Sequence, residues 1–357
     1  MRRLVAPLLA ALLLLTGCSS EQLVPDAVPK GAAQKKGGAE EADDGAGSGA
    51  PSAPADSPAE SPAGGPVDPV ALRKPSGRLL GVASEGAPGD LAPVTAFAAK
   101  AGKRPDLREY YLLWGTPFDR AGNAALRANG QVPLVSWVPG ETTLTDIAAG
   151  TQDEYLADFA EEVAAYREPL VLAFAPEMNS GWNRWGVGHA TPADYVKAWR
   201  HVHGLFRRHG AVNVVWLWTP HVSDQHSSVA PEPYYPGDEY TDWVGLVGYY
   251  GPEDGKSYAS LFAPAAKELR TFTRKPLLIS ETGVAEDPRK PAQIADLFAG
   301  AERTEGLIGL VWYDLRKQWP GSKYRTDWRV DSSAAAAAAL GRAVAGWTSD
   351  AVPAPLR

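Results

Sequence analysis

The chain has 357 residues, 45% of them apolar and 22% charged, with a net charge of −7. That is the balance of a globular protein. It excludes a basic patch of the kind that binds nucleic acid. A single cysteine, Cys18, excludes an internal disulfide, so the fold must be held by its core.

In chain order, Met1-Arg2-Arg3 is a short basic start, and Leu4 to Thr16 is an apolar run too short to span a membrane. The run ends in Leu15-Thr16-Gly17-Cys18, which resembles the lipobox of bacterial lipoproteins. The resemblance implies a signal peptide over residues 1–17, cleavage before Cys18 and a lipid on its sulfur. The expected location is the extracellular face of the cell membrane, or secretion. An ordinary signal peptide cut elsewhere would also export the chain.

Residues 18–76 are rich in Ala, Gly, Pro and Ser, with short acidic runs and few large apolar side chains. No core can form there, so this stretch is expected to be a disordered linker. From Leu79 the texture changes, and apolar strand-like runs alternate with helical patterns. Strands are expected at 80–83, 110–114, 133–138, 170–175, 214–218, 243–249, 277–280 and 308–313. Helices are expected at 90–101, 121–129, 153–166, 194–208, 258–273, 292–301 and 333–345. Continuously apolar strands between helices indicate a parallel sheet buried on both faces. Eight repeats of this size predict a single (β/α)8 TIM barrel over residues 77–350, with a tail at 351–357. A doubly wound sheet is disfavoured, because Ser84 to Asp90 after the first strand lacks the G-x-G-x-x-G spacing.

In such a barrel, chemistry sits at the C-terminal ends of the strands. Glu177 ends the fourth strand and Glu281 the seventh. Two carboxylates about 5 Å apart across the barrel mouth suit double displacement at the anomeric carbon of a sugar. One must hold a proton for the leaving oxygen while the other stays ionised to attack. Trp137, Trp218 and Trp312 end the third, fifth and eighth strands, and Trp182 and Trp185 follow Glu177. Indoles stack on the C–H faces of pyranose rings, and Asn179 is placed to bond hydroxyls. Tyr249, ending the sixth strand, is placed to donate to Glu281 and hold it ionised. These seven residues are the expected substrate contacts.

The segment Pro176-Glu177-Met178-Asn179 through Trp185-Gly186 resembles the acid/base signature of glycoside hydrolase family 26, best known for β-mannanases. Ser280-Glu281-Thr282-Gly283 is similar to its nucleophile strand. Asn213 through Pro220, Asp242 through Leu246 and Asp327 through Ser332 are similar to its later segments, in the family's order. The resemblance covers roughly residues 78–348. It implies a retaining endo-β-glycosidase acting on β-mannan or a related glucan or xylan, with Glu177 as acid/base and Glu281 as nucleophile. Three departures stand out. The family usually shows His where this chain has Pro176, and Arg where it has Ala173. The usual Asp-Gly-Tyr of its sixth strand is Val247-Gly248-Tyr249.

Other chemistries find little support. Gly251 to Ser257 is one residue short of a phosphate loop, and His201 and His203 do not share a helix face. No metal or cofactor is expected. Neither a G-x-S-x-G elbow nor a cysteine outside the signal region supplies another nucleophile. The competing reading is a non-catalytic surface lipoprotein that binds polysaccharide with a degenerate barrel. In either case the expected partners are a polysaccharide and, through Cys18, a membrane. The chain is expected to be a monomer.

Overall fold

The computed structural model describes residues 69–224, 227–252, 255–318, 325–349 and 351–352. Cys18, the apolar leader and most of the expected linker lie outside the described residues.

The described chain opens with α1 (Pro69–Arg73), then β1 (Leu79–Ala83), α2 (Ala92–Ala101), β2 (Leu107–Leu113), α3 (Arg120–Ala128) and β3 (Val132–Val138). Helices α4 (Leu144–Ala148) and α5 (Asp153–Tyr166) lead to β4 (Leu170–Phe174), and α6 (Pro192–Arg208) leads to β5 (Val214–Trp218). Next come β6 (Trp243–Tyr250), α7 (Tyr258–Leu269), β7 (Leu277–Val284), α8 (Lys290–Arg303) and β8 (Leu307–Tyr313). A small hairpin, β9 (Arg316–Gln318) and β10 (Arg325–Asp327), precedes α9 (Ala334–Val344). Strands β1 to β8 pair in sequence order, all parallel, and β8 closes on β1. The fold is therefore the (β/α)8 barrel read from the sequence.

Side chains alternate across each strand, so each strand feeds two cores. Leu79, Leu107, Leu134, Val171, Val215, Leu217, Leu278 and Val311 fill the barrel interior. Trp137, Trp199, Trp216, Trp218 and Trp312 belong to the outer core with the helices. Closure needs small residues where strands crowd. A Cβ on Gly245 would collide with Thr219 Oγ1 and Ser280 Oγ. Helix ends carry their own signals: Thr191 and Asp194 form a capping box at the start of α6, with Pro192 in its first turn.

The linker boundary placed at residue 76 needs correction, because ordered structure already includes α1. Leu72 is fully buried and joins the barrel-interior cluster with Ala351 and Val352. The Arg73 guanidinium reaches the carbonyls of Val212 (3.0 Å) and Val214 (3.1 Å) and pairs with Asp242 at 3.2 Å. Trp243 Nε1 donates to Arg73 O at 3.1 Å. This helix seals the end of the barrel opposite the site.

Candidate active site

Glu177 and Glu281 line one cleft at the barrel mouth. Tyr111, Ser136, Pro176 and Thr219 also border it, and Leu134, Ala173, Leu217 and Val247 form its apolar floor.

Glu177 sits on strained backbone. Ala175 has φ 46° and Glu177 has φ 57°, both left-handed, on either side of Pro176. Each costs about 1–3 kcal/mol and persists only where its surroundings over-determine it, as they do here. Glu177 N–H donates to Thr219 O at 2.8 Å. Trp185 Nε1 donates to Pro176 O at 2.6 Å, and Ser180 Oγ donates to Glu177 O at 2.6 Å. Asn183 Nδ2 lies 3.4 Å from both of those carbonyls. The loop is built to hold one carboxyl at one angle.

The two carboxyls have unequal surroundings. The hydroxyls of Tyr111 and Tyr249 both donate to Glu281, one to each oxygen. Burial raises the Glu281 pKa, while these two bonds and the charge of Lys317 pull it back. Burial and the neighbouring Glu281 charge push Glu177 up to about 8, with Lys317 opposing. Near neutral pH, Glu177 therefore keeps its proton, and Glu281 is the better placed of the two to lose its own. Burial and the carboxylates push both tyrosines well above the usual phenol range, so they remain donors. Tyr249 is held in turn by Trp328, at 4.8 Å between ring centroids, and by the edge of Tyr313 at 5.8 Å.

The expected sugar contacts divide. Trp182 is half-buried beside the cleft, its ring edge-on to His221 at 5.0 Å. His221 Nδ1 bonds Val222 O at 2.7 Å, and its Nε2 lies 4.0 Å from Glu177 Oε2. Trp137, Trp218 and Trp312 are corrected to core residues, since all three are fully buried on the helix side of their strands. Trp137 is sandwiched between Trp114 and Phe159, each at 4.5 Å. Trp218 meets Tyr235 at 5.0 Å, and Trp312 Nε1 donates to Trp328 O at 3.1 Å. Trp185 is also corrected, because it is 5% exposed and its N–H is spent on Pro176.

Asn179 is corrected from ligand to loop tie. It is fully buried, and its amide donates to His221 O (2.9 Å) and Val229 O (3.2 Å) while accepting from His221 N (2.8 Å). Asn179→Ala is expected to cost about 3 kcal/mol by stranding these buried groups. For a barrel of this size that is roughly 6–10 °C in Tm. Calorimetric melting checks it; an unchanged Tm with lost activity would return Asn179 to the substrate.

Glu109, Tyr111 and His221 were not foreseen. The polar stretch Asp106-Leu107-Arg108-Glu109 disguised the first half of β2, so an inward carboxyl and an inward tyrosine two residues later went unread. The cue was their i, i+2 spacing ahead of an apolar run. Among the described residues, no group of three or more His, Cys, Asp or Glu is arranged to hold a metal ion.

A (β/α)8 barrel with one glutamate just past β4 and another on β7, both in one cleft, is an arrangement that suits a glycoside hydrolase. The sequence profile of Glycosyl hydrolase family 26 matches residues 147–279, which include Glu177 and stop just before Glu281. Over those residues the chain is similar to that family. It is 28% identical over 271 residues to Endoglucanase H of Acetivibrio thermocellus, covering 72% of this chain and 29% of the relative. It is 29% identical over 180 residues to a β-1,3-xylanase of Vibrio, covering 48% of this chain and 35% of the relative. The chain thus spans about a third of the length of these relatives. Among solved structures it is similar to a β-mannanase from Bacteroides ovatus, with TM-score 0.54 and 19% identity over 78% of this chain and 90% of that one. A Bacillus subtilis mannanase gives TM-score 0.52 at 16% identity over 68% and 82% of the two chains. Those two likenesses support the fold.

Proposed function

We propose that this domain is a retaining endo-β-glycanase. The observation that carries the reading is one cleft holding two carboxyls of unequal surroundings, Glu281 bonded by two tyrosines and Glu177 pushed up to about 8. In the first step, Glu281 attacks the anomeric carbon, the glycosidic C–O bond breaks, and Glu177 delivers its proton to the leaving oxygen. The product is a glycosyl ester on Glu281. That ester carries no charge, so one of the influences holding Glu177 up is removed, and the Glu177 carboxylate is suited to take a proton from water. The water oxygen then bonds the anomeric carbon, and Glu281 leaves.

The substrate we propose is a β-linked glucan. The relative named an endoglucanase aligns over 72% of this chain. Pro176 and Ala173 stand where the mannanase-like pattern carries a His and an Arg, and neither offers a side-chain hydrogen bond to a sugar hydroxyl. The lipobox-like Leu15-Thr16-Gly17-Cys18 supports a domain tethered outside the membrane by Cys18, with residues 19–68 as the spacer. Reducing-end release from mixed-linkage glucan, cellulose, mannan and xylan tests the substrate. The glucans should be cut with the highest kcat/KM, at internal bonds. Faster cleavage of mannan or xylan would overturn the glucan assignment, and binding without release would overturn the enzyme.

A further inference from the structure

A third carboxyl lies in the same cleft, and the double-displacement steps leave it unused. Glu109, on β2, is 2% exposed and lines the cleft together with Glu177 and Glu281. It also borders a second pocket, on the side of Ser84, Ala87 and Leu315. Its Oε1 accepts from Ser136 Oγ at 2.7 Å. Its Oε2 is buried and has no hydrogen-bond partner. An unpaired buried carboxyl oxygen is costly, and the residue that carries this one lines the cleft. Small neighbours, Ser136 and Ala173, let the cleft reach down to it.

We infer that Glu109 is a specificity-determining residue, whose Oε2 hydrogen-bonds a hydroxyl of the sugar ring seated between Glu177 and Glu281. This inference rests on the glycanase reading of the cleft. Burial, with the Glu281 charge behind it, holds the Glu109 carboxyl well above the usual range, outweighing the Ser136 bond. The group is therefore a neutral acid. With Oε1 taken by Ser136, the proton sits on Oε2, which makes that oxygen a donor. A neutral donor suits an uncharged sugar hydroxyl, and it adds no charge beside the nucleophile. A substrate lacking that hydroxyl leaves a buried donor unpaired, which is how such sites discriminate.

The test compares wild type, Glu109→Gln and Glu109→Leu on cellotetraose and on analogues with single hydroxyls replaced by hydrogen. Binding is measured by calorimetry and cleavage by product release, and melting curves confirm that each variant is folded. Glu109→Leu is expected to lose about 10–100-fold in binding and kcat/KM. Glu109→Gln, which keeps a donor and an acceptor, should recover most of that loss. One deoxy analogue should be handled equally by wild type and Glu109→Leu. The inference is overturned if Glu109→Leu matches wild type, if Gln is no better than Leu, or if the loss is the same on every analogue. Should wild type bind cellotetraose without cutting it, the glycanase reading fails, and the Leu-versus-Gln binding difference still decides the role of Glu109. Should it neither bind nor cut, both fail.

Discussion

Glu281→Ala is expected to lower β-glucan hydrolysis by on the order of 10⁴-fold or more, with the fold intact. A missing nucleophile removes the covalent step, and no neighbouring group takes its place. Glu177 holds a proton, and Tyr111 and Tyr249 are phenols whose pKa values burial has driven up. The tyrosines would be left facing the space of the lost carboxylate, a site lined by two donors. Added azide fits that space. With an aryl β-cellobioside that carries a good leaving group, azide should attack from the Glu281 side and give the α-glycosyl azide. A β-glycosyl azide from this variant would reverse the two roles.

The second large effect concerns Glu177. Glu177→Ala should cost about 10²–10⁴-fold on polysaccharide, where the leaving oxygen needs a proton. It should cost far less in the first step on a dinitrophenyl glycoside, which leaves without one. Azide should then yield the β-glycosyl azide, because it enters from the leaving-group side. The pH profile follows from the same carboxyl. Burial and Glu281 raise its pKa to about 8, so the acid form is present below that pH and is lost as pH rises through it. For wild type, kcat/KM should therefore fall on the alkaline side near pH 8, and this limb should be missing in Glu177→Ala. Equal losses on both classes of leaving group, or an alkaline limb unaffected by the substitution, would remove Glu177 from the acid/base role.

Strand positions and both glutamates were legible because buried parallel strands are continuous apolar runs and barrel chemistry gathers at strand ends. Which face a strand-end residue takes was not legible. Trp137 and Ser136 are neighbours in sequence, yet Ser136 faces the cleft and Trp137 the helices. The same parity puts Leu217 inside and Trp218 outside. Aromatic residues at strand ends were thus assigned to sugar when half of the positions there serve the outer core. Glu109 was hidden for the converse reason: a charged, inward residue does not look like part of a strand. Helix α1 was missed because Leu72 is the buried residue of a five-residue helix, and the cluster it joins draws on residues distant in sequence, such as Val132 and Val352. Asn179 was read as a ligand because its partners, His221 and Val229, come from a different loop.

The proposed double displacement is tested most directly by the anomeric configuration of the first product. Proton NMR can follow a β-glucan oligosaccharide from the moment the enzyme is added. Two inversions at one carbon predict that the β-anomer appears first and that the α-anomer grows only at the rate of mutarotation. The α-anomer appearing first would mean a single inversion, with water rather than Glu281 attacking the anomeric carbon, and would contradict the account.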